Sequence, residues 1–182
     1  MKATVLMAAL VLLAACSRPA PPKTTVQQFM EGQVNPAGEF LFHSVAEVSD
    51  QHGTYLKAPK TAAEWQAVRD EIAVLQHAPE VLTAPGLKAA PPGFRSENPS
   101  VESEPAWIQT AIDSHRDDFN RRAERLKQAA DAVDQAAQAH DPLAMQRALD
   151  RVDKACESCH LHYFYPNDKR AQLQAKEDGI TD

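Results

Sequence analysis

The last helical pattern of the chain constrains the fold most, because its apolar positions recur over nineteen residues, from 145 to 163. It begins at Asp141-Pro142, a residue that caps helices well followed by one suited to the first turn. From Met145 to Tyr163 the apolar positions are four, three, four, three and four residues apart, the spacing of one helix face. A helix with one continuous apolar face needs other helices to cover it, so the pattern predicts an all-α bundle. The positions on this face are Met145, Leu149, Val152, Cys156, Cys159 and Tyr163.

Two further helical patterns lie in the first half of the chain. The first runs over 26–48 and is interrupted at Asn35-Pro36, where we expect the helix to restart or kink. The second begins at Thr61, with Glu64 three residues later as in a capping box, and its stripe fades near Pro79. The first stripe is Val26, Met30, Val34, Ala37, Leu41, Val45 and Val48, and the second is Trp65, Val68, Ile72 and Leu75.

A third pattern runs over 104–139, with apolar residues recurring every seven positions, as in helix bundles. With the last helix it completes a predicted antiparallel up-down-up-down four-helix bundle. The connections over 49–60 and 79–104 are long, and the second is rich in proline. Because 79–104 joins helices at the end where the last helix finishes, we expect it to cover part of any pocket there. The charged residues of the third helix are interpreted as its solvated face; they include Arg121, Arg122, Glu124 and Arg125.

The last helix carries the sequence Cys-Glu-Ser-Cys-His at residues 156–160. C-x-x-C-H is the attachment sequence of a covalently bound c-type haem. In it the thiols of Cys156 and Cys159 form thioethers with the porphyrin, and the imidazole of His160 is the proximal axial ligand of the iron. The three side chains share one helix face. Because both cysteines lie on the apolar face, the sequence predicts one haem c inside the bundle, near the C-terminal end of its last helix.

Two other chemistries use the same residue types. A thioredoxin-type cysteine pair normally follows a strand in an α/β domain, whereas this sequence lies in a helix. A zinc site could draw on Cys156, Cys159, His160 and His162, but four ligands within seven residues of one helix would diverge. Haem is therefore the favoured interpretation, and a structural lipoprotein that holds zinc is the alternative.

The run from Ala155 to Tyr163 resembles the class II cytochromes c, the cytochrome c′-like family, in which C-x-x-C-H lies near the C-terminus of the last of four helices. The stretches 30–37 and 57–65 are similar to a lipoprotein-like branch of that family. The resemblance covers about 26–165. It implies a haem-binding four-helix bundle, and it leaves a homodimer open because members of the family often pair through their first two helices.

The sixth iron ligand is harder to assign. Met30 lies on the stripe near the start of the first helix, beside the end of the last helix in an up-down-up-down bundle. It also matches the position at which methionine-ligated members of the family carry their ligand. The alternatives are an open sixth position, with Met30 filling the core, and ligation by His115 or His77.

The N-terminus predicts export. Residues 1–15 have the pattern of a signal peptide. Lys2 precedes an apolar run that ends with Leu13-Ala14-Ala15-Cys16. This ending looks like a bacterial lipobox, in which Cys16 is acylated and anchors the chain to a membrane surface. The alternative is ordinary cleavage with Cys16 incidental. Ser17 in place of aspartate favours the outer membrane of a Gram-negative bacterium. We therefore divide the chain into signal peptide 1–15, lipidated Pro-rich tether 16–25, cytochrome domain 26–166 and polar C-terminal tail 167–182.

The formal net charge of −6 argues against nucleic acid as a partner. We therefore expect a periplasmic, membrane-anchored cytochrome that transfers single electrons between periplasmic or membrane redox partners. A five-coordinate binder of NO or CO is the alternative. No set of acid, base and nucleophile converges in the sequence, so we do not expect an enzyme.

Overall fold

The computed structural model describes residues 23–180, and residues 1–22 and 181–182 lie outside the described part. The predicted signal peptide, the predicted lipidation site Cys16 and most of the predicted tether therefore fall outside it. Within the described part, no helix combines the length and the apolar character needed to cross a bilayer.

The first bundle helix is continuous through the predicted interruption. It consists of α1 (Val26–Phe29), a π-helical turn (Met30–Val34) and α2 (Asn35–Ser44). The predicted restart is not observed, because Asn35 is itself helical, with φ −62° and ψ −49°. Pro36 has no N–H to give to the preceding turn, and the chain takes up a wider turn in which the Asn35 N–H donates to the Met30 carbonyl.

A β-hairpin follows where a connection was expected. Strands β1 (Ala46–Asp50) and β2 (Gly53–Lys57) pair antiparallel. The expectation that the first helix reaches Val48 is thus wrong. The helix ends at Ser44, and Val45 is extended with φ −132°. The strands turn tightly at Gly53, whose φ of +117° favours glycine.

Helix α3 (Ala62–Leu82) begins as predicted. Thr61 and Glu64 form the capping box, and each side chain accepts from the other residue's backbone N–H. The expected end near Pro79 is wrong, because the helix continues to Leu82. Proline removes a single N–H from the helix, and burial of Ala78 and Leu82 on either side keeps the last turn in place.

The third predicted helix is two helices, α4 (Pro105–Ser114) and α5 (Arg116–Gln138). The break falls at His115, with φ −123° and ψ 39°. Aspartate, serine and histidine are weak helix formers, and they occupy 113–115 in succession. The segment 83–104 before α4 is largely irregular, as its prolines predict.

The last bundle helix, α6 (Pro142–Tyr163), is capped by Asp141, whose side chain accepts from the Ala144 N–H at 2.9 Å. Beyond it, α7 (Lys169–Glu177) forms within the segment assigned to a polar tail. Asp168 caps this helix by accepting from two backbone N–H groups at 3.0 Å, and Ala175 is the buried residue of α7.

Pairs of side chains show how the bundle helices run. Arg69 bonds to Asp134 and Gln76 bonds to Asp131, so the residue numbers of α3 rise as those of α5 fall. The contacts of Phe119 with Tyr163 and of Arg122 with Ser158 give the same result for α5 and α6. The fold is the predicted four-helix bundle, with its neighbouring helices antiparallel, and its core is continuous across all four.

Candidate functional site

A cavity of about 350 Å³ opens between the first and last bundle helices at the C-terminal end of α6. Cys156, Cys159 and His160 line it from α6, and Met30 lines it from the π-helical turn. Most of the remaining wall is apolar, as in sites that enclose organic cofactors. The fold thus brings the predicted attachment sequence and the methionine to one cavity.

A second cavity of about 260 Å³ shares Met30, Asn35, His160 and Phe164 with the first. Ala89, Ala90 and Phe94 of the segment 83–104 line its other side. The backbone fixes this segment in place. Two N–H groups of α1 donate to carbonyls of residues 88 and 89 at 2.9 Å, and the N–H of residue 103 donates to the Phe164 carbonyl at 2.7 Å. The long connection therefore lies over the His160 end of the bundle, where the sequence predicted it.

Burial keeps the attachment residues in neutral forms. It raises the pKa of the Cys156 thiol to about 12, and nearby carboxylates add to the rise. It also raises the pKa of the Cys159 thiol to about 12, against the opposing charge of Arg122. A redox-active cysteine pair needs a thiolate, which these surroundings disfavour. Burial lowers the pKa of His160, so at neutral pH its imidazole has a lone pair available to a metal.

The candidate sixth ligands are not equally placed. Met30 is partly buried and lines both cavities. His115 is exposed and lines a separate cavity with His162, on the side of α6 that faces α7. His77 is also exposed, and its ring nitrogen lies 2.9 Å from the Glu80 carboxylate. Of these three side chains, Met30 is the one that borders the space beside His160.

Arg122 was wrongly assigned to the solvated face of the third helix. Its side chain is 2% exposed and lines the cavity, whereas Arg121, Glu124 and Arg125 are exposed as predicted. The sequence holds a signal for this burial. Arg122 lies three residues after Phe119 and four before Leu126, so it falls on the apolar face of α5.

The residues around the cavity fit a covalently attached haem. Two thiols and an imidazole on one helix face are the donor set that haem c requires. The walls are mainly apolar, and a Cβ added to Gly38 in the opposite wall would meet no protein atom within 4 Å. When bound at this cavity, haem would be held by Cys156 and Cys159, with His160 as the iron ligand.

An antiparallel helical bundle with these donors on its last helix defines a c-type haem protein. The family described as Cytochrome C' matches residues 42–163. The chain belongs to the cytochrome c′ family, which binds covalently attached haem c and is typically periplasmic. The matched residues include the attachment sequence and do not include Met30. No curated protein and no solved structure gives a significant match to the chain.

Proposed function

We propose that this haem-binding cytochrome transfers single electrons between partners in the periplasm or at a membrane, with His160 and Met30 as the two axial ligands of its iron. One observation supports this function above all: Met30 and His160 line the same two cavities from facing helices. The bound haem supplies a centre that takes up and releases one electron.

Each residue has a separate part in this proposal. Cys156 and Cys159 tie the cofactor to α6, so that it stays attached in both oxidation states. His160 provides a neutral nitrogen donor and Met30 a thioether sulfur, a pair of ligands that favours a raised potential. With His160 and Met30 both bound, the iron would have no open position for an exogenous ligand, and its coordination would change little between oxidation states.

Binding of NO or CO is the second candidate function. Its support is the apolar wall around Met30, formed in part by Val34, Leu75 and Leu82, which would receive an uncharged diatomic molecule readily. This function requires that the Met30 sulfur does not occupy the sixth position. The two candidates therefore differ in one bond.

Replacing Met30 by leucine tests that bond. We expect the ferric protein to show the weak methionine-to-iron band at the red end of its visible spectrum, and Met30→Leu to lose it. The ferrous variant should bind CO at least about tenfold faster, because no side chain has to leave first. Met145→Leu is the control, since Met145 is fully buried in the core and does not line the cavity. An unchanged spectrum in Met30→Leu, or rapid CO binding by the natural protein, would favour the second candidate.

We also propose that acylation of Cys16 anchors the protein, with the outer membrane as its site. The support is the lipobox-like sequence and the proline-rich residues that follow it. Cys16→Ser should move the protein from the membrane fraction to the soluble periplasmic fraction, because the acyl chains provide its hold on the bilayer. Ser17→Ala is the control and should stay with the membrane. Natural protein found unacylated by mass spectrometry would contradict the proposal.

A further inference from the structure

An ion pair within α5, formed by the buried Arg122 and the partly exposed Asp118, contacts the attachment sequence on α6. Arg122 Nε donates to Asp118 Oδ2 at 2.6 Å, and Arg122 Nη1 donates to the backbone carbonyl of Ser158 at 2.9 Å. The Arg122 side chain is 2% exposed and that of Asp118 is 25% exposed. Ser158 lies between the two cysteines, so the guanidinium is bonded directly to the backbone of the attachment sequence.

The Asp118 carboxylate also contacts α6 on the C-terminal side of His160, through the side chain of Tyr163. The fully buried Tyr163 hydroxyl lies 3.2 Å from Asp118 Oδ2 and 3.2 Å from the carbonyl of His115. The pair therefore contacts α6 both two residues before His160 and three residues after it. These bonds fix the rotation of this part of α6 about its axis, and with it the direction in which the attachment side chains point.

Stability alone does not account for a guanidinium buried at this place. Removing a charged side chain such as that of Arg122 from water is costly, and well-packed apolar side chains often stabilise a protein as much or more. The pair is nonetheless held ionised. Burial acts to raise the pKa of Asp118, but the hydrogen bond and the charge of Arg122 outweigh it and lower the pKa overall.

The two charges differ in their relation to the cavity. Arg122 lines it together with Cys159 and His160, whereas Asp118 is not among its lining residues. A positive charge at the wall of a haem site favours the reduced state, which carries one positive charge fewer. A negative charge favours the oxidised state. The fields of the two side chains thus act in opposite directions, and that of Arg122 originates nearer the cofactor.

We propose that Asp118 and Arg122 are positioning residues that hold the haem-attachment segment in register and set the haem midpoint potential, which Arg122 raises and Asp118 lowers. The inference rests on the proposed attachment at Cys156, Cys159 and His160. It depends neither on Met30 as a ligand nor on any electron-transfer partner.

Redox titration of the purified holoproteins tests this inference. At a fixed ambient potential, Arg122→Met should lower the ratio of reduced to oxidised protein by roughly tenfold, as expected for a unit charge about 10 Å away at an effective dielectric constant of about 20. Asp118→Asn should raise the ratio, by a smaller factor. The double variant should lie between the two single variants. Arg125→Met removes an exposed charge three residues further along α5 and should change the ratio by less than about twofold.

Opposite shifts separate this role from a purely structural one, in which both variants loosen α6 and move the potential in the same direction. Shifts of the same sign, or shifts no larger than that of Arg125→Met, would overturn the inference.

Arg122→Lys keeps the charge and loses the forked hydrogen bonding. The midpoint potential of Arg122→Lys should therefore stay close to that of the natural protein. This variant still tests the inference if Arg122→Met does not attach haem. Unfolding of the holoproteins by denaturant, followed by circular dichroism, gives the structural effect separately. Natural protein without attached haem would instead refute the attachment itself.

Discussion

A chain with both Cys156 and Cys159 replaced by alanine is expected to carry no covalently attached haem. The two thiols are the only side chains of the attachment sequence that can form thioethers, and both line the cavity from α6. After export in a host with cytochrome c assembly machinery, the natural protein should show the mass of the polypeptide plus one haem under denaturing conditions. The double variant should show the polypeptide mass without haem, and its band on a denaturing gel should not stain for haem.

His162→Ala is the matched control for this experiment. His162 lies on the same helix two residues after His160 and borders a different cavity. It was also a ligand in the zinc alternative, so its removal should leave haem attachment complete if haem is the cofactor of this sequence. A double cysteine variant that retained the haem mass under denaturing conditions would show that the covalent link lies elsewhere.

Replacing Phe119 by alanine should cost about 3–5 kcal/mol of the free energy of unfolding, because it empties a space in the core. Phe119 is 2% exposed, lines the haem cavity and packs edge to face against Tyr163, with 5.2 Å between ring centroids. It therefore connects α5 to α6 beside the attachment sequence. Equilibrium unfolding of the holoprotein by denaturant, followed by circular dichroism, measures the loss.

Phe40→Ala provides the comparison, because Phe40 is 43% exposed at the other end of the first helix. It should cost less than about 1 kcal/mol, as surface substitutions generally do. Equal losses in the two variants would mean that the packing between Phe119 and Tyr163 does not stabilise the bundle.

The parts of the fold that depend on neighbouring residues could be predicted from the sequence. The capping residues Thr61 and Asp141 start their helices as expected, because a cap bonds to N–H groups within three residues of it. The predictions of helix boundaries were wrong where the same sequence pattern is compatible with two different structures. Val48 fits the spacing of the first helix, but it also fits a strand, and pairing with Tyr55 decides in favour of the strand. Pro79 signals a helix end, but burial of its neighbours overrides that local preference.

The candidate site likewise has residues that could be predicted from the sequence and a residue that could not. Cys156, Cys159 and His160 are adjacent in sequence, so their spacing predicts that they share a helix face. The burial of Arg122 depends on Ser158, 36 residues further along the chain, and no local pattern identifies that partner. Its place on the apolar face of α5 indicated burial, but a charged residue is usually assigned to the surface.

The hydrogen bonds that join the start of α1 to residues 88 and 89 have a consequence for orientation at the bilayer. They fix the N-terminal end of the domain beside the haem cavity, and the ten residues 16–25 span at most about 35 Å when fully extended. In a chain held by acylated Cys16, the tether would therefore leave the domain at the end that holds the haem cavity, with at most about 35 Å of extended chain between that end and the lipid headgroups. Such a geometry favours electron exchange with proteins embedded in, or resting on, the same membrane.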